Sequence, residues 1–298
     1  MAKNFSATER MILKTFYPRQ TFNYDNKKYT VLVSAKPQTQ GGECKTDVYV
    51  SATCGTDLLE LKISVKQNNH DFLENKMSFS RAQDILGKNA SKIIQSSTLS
   101  VKNYFTQDPL INFTCSNRSK EPIIAMGWKF ELLNKKSGHK SSLMQLTSNQ
   151  LLDVYSGTNL PTSKKNAQVN GNTILNSGVA NHILFVDPTN TKNIQDYVND
   201  LQPIQQYTIG KNIFFACKAL NYRVYSNKWD GDRPLAVWVD WKIINNKLHG
   251  TIKFNNPLIT TGNPIGEKIR IHLTSLNINK SNFSNLINFL DPNTPFKI

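Results

Sequence analysis

Acidic residues are scarce: 21 Asp and Glu stand against 36 Lys and Arg in 298 residues, a formal charge of +15. Cysteine is scarcer still. Cys44, Cys54, Cys115 and Cys217 are too few and too scattered for a disulfide-stapled scaffold, and none forms a CxxC pair or lies near a His at zinc spacing. Reduced thiols and no structural zinc are therefore expected. Apolar runs are short. Ile183 to Val186 is typical, far below the ~20 residues that cross a bilayer. The first twenty residues carry Lys3, Glu9, Arg10 and Lys14 with no long apolar block, so no secretory signal is expected and a cytoplasmic location is. Histidines 70, 139, 182, 249 and 272 stand alone, and neither GxSxG nor GxxxxGK[ST] occurs. These gaps argue against a His-metal nuclease, a Ser-His-Asp hydrolase and an ATP-driven motor. There is no internal repeat and no low-complexity linker. Asn-x-Ser/Thr triplets, at Asn112 and Asn117 for example, are what chance gives in a chain this rich in Asn and Ser.

What the chain does have is core material and positive charge. Residues of the hydrophobic class make up 39% of it, enough to exclude wholesale disorder. Most of the positive charge is lysine, a hydrated point charge suited to neutralising phosphate; arginine is confined to positions 10, 19, 81, 118, 223, 233 and 270. The charge is spread along the chain, with local clusters at Lys135, Lys136 and Lys140 and at Lys164 and Lys165. Such an excess bears on association, not fold, and favours nucleic acid over a membrane surface or an acidic protein.

Ser6-Ala7-Thr8-Glu9 reads as a capping box before an amphipathic helix through Met11, Ile12, Leu13 and Phe16, stopped by Pro18. Lys28 to Ala35 alternates like a strand. After the polar loop PQTQGGEC, two β-rich runs flank Cys54-Gly55-Thr56-Asp57, a hairpin signal. Residues 69 to 105 turn helical, with Ser80 as an expected N-cap and a break at Gly87. Ile123 to Leu133 and His182 to Val186 read as strands, and Ser148 to Tyr155 as a short helix. Beyond about residue 203 the runs IFFACKAL, YRVYS, LAVWVDWKI and LHGTIKF are β-rich, the last two joined around Asn245-Asn246-Lys247. The expected division is 1–200 and 201–298, either as two parts or as one integrated domain.

The hairpin carries the most specific chemistry. Alternate strand residues share a face, so Leu59, Leu61, Ile63 and Val65 form an apolar face and Glu60, Lys62, Ser64 and Lys66 a polar one. On the first run Asp47, Tyr49 and Ser51 point away from Val48 and Val50. With a turn near Gly55, Asp47 is expected across from Lys62 and Ile63, its carboxylate close to Glu60 and Lys62. Two carboxylates can hold Mg²⁺, and the lysine can stabilise developing charge or position a water.

Asp47 followed by Glu60-Leu61-Lys62 resembles the motif of the PD-(D/E)XK nuclease superfamily, which includes most type II restriction endonucleases; Thr46 stands in the place of the proline. The resemblance covers residues 6 to 130 in element order and about twenty residues in motif. It implies an α/β fold with a restriction-endonuclease-like αβββαβ core, a mixed central sheet and a β-rich C-terminal part. Asp47 and Glu60 would be Mg²⁺ ligands and Lys62 the catalytic lysine. Ser64-Val65-Lys66 is a competing register on the same face, and Glu43 could add a carboxylate. The implied activity is Mg²⁺-dependent hydrolysis of double-stranded DNA, often by a homodimer that cuts both strands of a short palindrome and leaves 5′-phosphates.

Other readings stay open. Asp240-Trp241-Lys242, with Asp230 and Asp232 upstream, also spells D-x-K, although eight positions leave little room for two strands and a turn. Tyr222, Arg223, Tyr225, Lys228, Trp229 and Arg233 interleave basic and aromatic groups. Arg223, Lys228 and Arg233, with Lys135 and Lys136, are candidate DNA contacts. A repair, phage or recombination nuclease on the same fold is one alternative. A non-catalytic DNA-binding or structural protein, its hairpin an edge ribbon facing water, is the other.

Overall fold

A computed structural model describes every residue except 1, 41, 69–70, 76 and 115–119, and only the backbone of residues 2–6. His70, Cys115 and Asn117 thus lie outside the described residues. The chain is mixed α/β and divides into two compact units: residues 1–71, 84–87 and 146–211 form one, and residues 72–83, 88–145 and 212–298 the other. This replaces the expected cut near residue 200. The long insertion 88–145 belongs with the C-terminal strands because its central strand pairs with them.

The chain opens with α1 (Ala2–Thr15). Helix therefore starts before Ser6, and the Glu9 carboxylate bonds to Lys36 instead of closing a capping box. Next come β1 (Thr21–Tyr24), β2 (Lys27–Ala35), β3 (Val48–Cys54) and β4 (Asp57–Gln67). Asp25 and Asn26, both left-handed, turn β1 into β2, and Gly55 at φ 60° helps turn β3 into β4. β5 (Phe72–Glu74) and α2 (Phe79–Leu86) follow. Ser78, not Ser80, caps α2: its Oγ accepts the Arg81 N–H at 3.1 Å. Then come α3 (Ala90–Leu99), α4 (Lys102–Thr106), β6 (Ile111–Asn112), β7 (Ile123–Leu133) and β8 (Ser141–Leu143).

The chain returns to the first unit with α5 (Ser148–Ser156), which carries a true capping box between Thr147 and Gln150 and ends at left-handed Gly157. α6 (Thr162–Lys165), the small hairpin β9 (Gln168–Val169) and β10 (Asn172–Thr173), β11 (His182–Val186), α7 (Ile194–Asp200), β12 (Gln202–Pro203) and α8 (Ile204–Tyr207) complete that unit. The remainder is β13 (Phe214–Arg223), β14 (Val237–Ile244), β15 (Lys247–Lys253), α9 (Gly262–Ser275) and the short β16 (Phe296–Lys297). The strand-rich reading of this end passed over α9. Among the described residues no helix is long and apolar enough to cross a membrane.

In the first unit six strands run in the order β1-β2-β3-β4-β11-β12. All neighbours are antiparallel except β4 and β11, which are parallel. Such a pair needs a long crossover, and here the chain between Gln67 and His182 provides it. The strand beside β4 is therefore β11, and not residues 123–133 as the element order suggested. β3 and β4 are central, so the edge-ribbon reading of the hairpin does not hold. Val48, Val50, Leu61, Ile63 and Val65 pack with Ile12 and Phe16 of α1 and with Tyr197 and Val198 of α7 into one core. The sheet is curled: Tyr24, on the edge strand β1, reaches His182 at the start of β11, Oη to Nε2 3.1 Å.

In the second unit β15-β14-β7-β13-β8 form an antiparallel sheet around β7, whose residues are nearly all buried. Gly127 on β7 has φ 151°, and a Cβ there would lie 2.5 Å from the Val237 carbonyl, so glycine lets β14 approach. Trp241 is fully buried, and its Nε1 donates to the Ala125 carbonyl at 2.9 Å.

Burial lowers the His182 pKa from 6.5 to about 4. The unfolded chain thus takes up a proton at higher pH than the folded one. The resulting loss of stability starts below pH 6.5 and is complete near pH 4, on the order of 3 kcal/mol. Urea melts of wild type and His182→Asn across this range should diverge, with the variant showing the flatter acid limb.

Candidate functional site

The β3–β4 ladder decides which side chains meet. Val48 pairs with Ile63, Tyr49 with Lys62, Val50 with Leu61 and Ser51 with Glu60. The Asp47 N–H also donates to the Ile63 carbonyl, at 2.9 Å, so Asp47 and Val48 both face Ile63 and the regular ladder ends in a bulge at Asp47. Asp47 and Glu60 therefore lie four residues apart along the hairpin, roughly 13 Å, too far for both carboxylates to grip one ion. The expected Asp47–Glu60–Lys62 cluster is not assembled. Glu60 instead accepts the Tyr49 hydroxyl proton and lies 3.8 Å from Lys62 Nζ.

The competing register is the one the ladder brings together. Asp47 Oδ2 accepts the Val65 N–H at 2.7 Å. Ser64, 2% exposed, precedes Val65 on β4, and Lys66 follows two residues later on the same face as Ser64. Loss of hydration raises the Asp47 pKa; the Lys66 ammonium and the Val65 N–H pull it back, Glu9 pushes it up and Lys36 pulls it down. The carboxylate thus sits in the fields of two lysines and a second acid.

That second acid comes from α1. Glu9 Oε2 pairs with Lys36 Nζ at 2.5 Å just beyond the end of β2, and Gln67 Nε2 donates to Thr8 Oγ1 at 3.1 Å, tying α1 to the end of β4. Burial works against the charge on Lys36, but the Glu9 bond and the fields of Glu9, Asp47 and Glu43 outweigh it and hold its pKa above the ordinary lysine value. Glu43, exposed in the loop before β3, thus reaches the same neighbourhood. Sequence reading did not link Glu9 or Lys36 to Asp47: Glu9 reads as a capping residue, and Lys36 falls just after the strand that ends at Ala35. No local pattern links them to a carboxylate at position 47. Among the described residues no three His, Cys, Asp or Glu side chains form a metal-holding group.

Asp240 is not such a site. Burial pushes its pKa up, but Lys242 at 2.9 Å and Lys268 at 3.0 Å outweigh this and lower it. Asp230 takes both Arg223 hydrogen bonds at 2.8 Å, and Asp232 caps the Asn263 N–H. Of the suggested DNA contacts, Arg223 is thus forked to a carboxylate. Lys228 is exposed, Arg233 partly so, and Lys135 and Lys136 are exposed between β7 and β8.

No family model, no curated protein and no solved structure matches this chain.

The raised Asp47 pKa has a stability consequence. The folded state holds this proton more tightly than the unfolded chain, so stability falls as pH rises from the ordinary carboxylate range through the raised value. Asp47→Asn keeps an acceptor for the Val65 N–H and removes the charge. Chemical denaturation should find the variant more stable than wild type at neutral pH, with the gain fading in acid.

Proposed function

We propose that this protein is a Mg²⁺-dependent DNA endonuclease of the PD-(D/E)XK type, its chemistry centred on Asp47, Ser64 and Lys66 with Glu9 alongside. One observation carries the reading: the Asp47 carboxylate accepts the Val65 N–H and lies in the field of Lys66, two residues after Ser64. The order of elements supports it. Helix α1, the antiparallel strands β2, β3 and β4, a crossover containing α5, and the parallel strand β11 follow the αβββαβ order that the resemblance implies. The net charge of +15 supports a polyanionic substrate.

Ser64 occupies the acidic position of the motif, so the second carboxylate must come from elsewhere, and Glu9 is suitably held. Mg²⁺ is commonly bound by one or two carboxylates together with waters and substrate phosphate oxygens. Asp47 and Glu9 match that number and that hard-oxygen chemistry, with Glu43 nearby. Bound there, the ion would neutralise phosphate charge and acidify a water. The protein's own groups do the remainder. The Val65 N–H fixes the Asp47 carboxylate, and Lys36 fixes Glu9. Lys66 offsets the charge that builds on phosphorus as water attacks in line and orients that water through its ammonium protons. By the same resemblance the product carries a 5′-phosphate, and a homodimer cutting double-stranded DNA is the natural assembly.

Plasmid incubated with the protein and Mg²⁺ should give discrete fragments. Asp47→Ala and Lys66→Ala should each slow cleavage by more than about a hundredfold with DNA binding retained, whereas Lys62→Ala should cut near the wild-type rate. Normal cutting by Lys66→Ala would move the site back to Lys62. A smear would favour a repair-type nuclease. Salt-sensitive binding without cleavage would leave a DNA-binding protein.

A further inference from the structure

We infer that a cavity beside Lys62, in the first unit, binds a small organic acid: one singly charged oxyanion group carried on an apolar body. The cavity measures about 390 Å³, within the range of small-molecule sites. Leu152 of α5, Val179 and Ala180 before β11, and Ile204 of α8 supply its apolar wall. Tyr24, Lys62 and His182 supply polar groups.

The frame of this cavity is fixed by Asn181. Its Oδ1 accepts the Lys62 N–H at 2.7 Å, its Nδ2 donates to the Glu60 carbonyl at 2.9 Å, and its own N–H donates to the Lys62 carbonyl at 2.9 Å. The side chain acts as one more rung beside β4 and locks the Lys62 backbone in place. Asn181 Oδ1 also lies 2.8 Å from His182 Nδ1. Because that oxygen can only accept, Nδ1 carries the imidazole proton and Nε2 takes the Tyr24 hydroxyl proton. Both imidazole nitrogens and the Tyr24 proton are thus spent inside the wall.

Lys62 is different. It is the one charged side chain among the lining residues, and only 15% of that side chain is exposed. Glu60 Oε2 forms an ion pair with Lys62 Nζ at 3.8 Å, beyond hydrogen-bond reach, while its Oε1 takes the Tyr49 hydroxyl hydrogen bond. An ammonium has three donors, and that of Lys62 is not among the fully enclosed, partnerless polar atoms, so it remains open to an acceptor from outside the protein. Among the described residues none accepts from Lys62 Nζ, and the space beside it is large enough for a ligand that would. With Glu60 held at 3.8 Å, an anionic acceptor on the cavity side can take the hydrogen bonds that Glu60 does not, and the aliphatic wall calls for an apolar remainder.

Benzoate is a suitable probe, with benzamide as its neutral isostere, each titrated into the full chain by calorimetry. Benzoate should bind at least about tenfold more tightly than benzamide, and Lys62→Gln should erase the difference. Equal binding of the two, binding of neither, or a preference that survives Lys62→Gln would overturn the inference. If Lys62→Gln does not fold, the His182 ring protons of the wild type decide by NMR. Benzoate must shift them well below the concentration at which benzamide does; the absence of such a shift refutes the site. None of these readings depends on DNA cleavage.

Discussion

The pairing of β3 with β4 is the constraint on which the rest depends. A strand pair has a period of two, so a one-residue change of register exchanges faces and a two-residue change keeps the face but changes the partners. Both candidate registers put a lysine on the polar face two residues after a possible partner for Asp47. The hydrogen bonds at the end of the ladder decide between them: the Asp47 N–H meets the Ile63 carbonyl and the Asp47 carboxylate meets the Val65 N–H. The same ladder leaves Glu60 and Lys62 at the other end of that face, where Tyr49 and Asn181 occupy them. One register thus assigns one end of the hairpin to Asp47 and Lys66 and the other to the Lys62 cavity.

The charges at the Asp47 end compensate one another in a way that isolated residues could not. A carboxylate deprived of water is driven toward its protonated form. Lys66 and Lys36 oppose that drive, while Glu9 adds to it. Lys36 is in turn held charged by Glu9, Asp47 and Glu43. Such a balance sacrifices stability for a concentration of opposed charges at one place.

Much of the fold was legible. β7 and β11 match the strands expected at 123–133 and 182–186 to the residue, because both are rich in apolar residues of β-branched and aromatic type. The hairpin turn at Gly55 and the left-handed Asn245-Asn246 turn were marked by the residues that those backbones require. Helix starts were less legible: Ser6 and Ser80 look like caps, yet both lie inside helices, since many serines satisfy the pattern and only one position is used. α9 was hidden because its polar, glycine-bearing start, GNPIGEK, breaks the apolar period that marks a helix. The division into two units was hidden for a different reason. Membership of a sheet is fixed by pairing, and β7 pairs with β13, about ninety residues on, with no trace of this in local composition.

The sequence by itself determined the class of the molecule: a basic, lysine-rich α/β chain with a polar-faced hairpin bearing Asp47 and four alternating candidates, Glu60, Lys62, Ser64 and Lys66. Those features follow from residue type and from periods of two and 3.6, which act over a few neighbours. Only the tertiary structure decided that Asp47 meets Lys66, that Glu9 and Lys36 join them, that β11 lies parallel to β4, and that Lys62 faces a cavity walled by residues 152 to 204. Each of these joins segments tens to more than a hundred residues apart. They are settled by hydrogen-bond register and burial, which a local pattern does not encode.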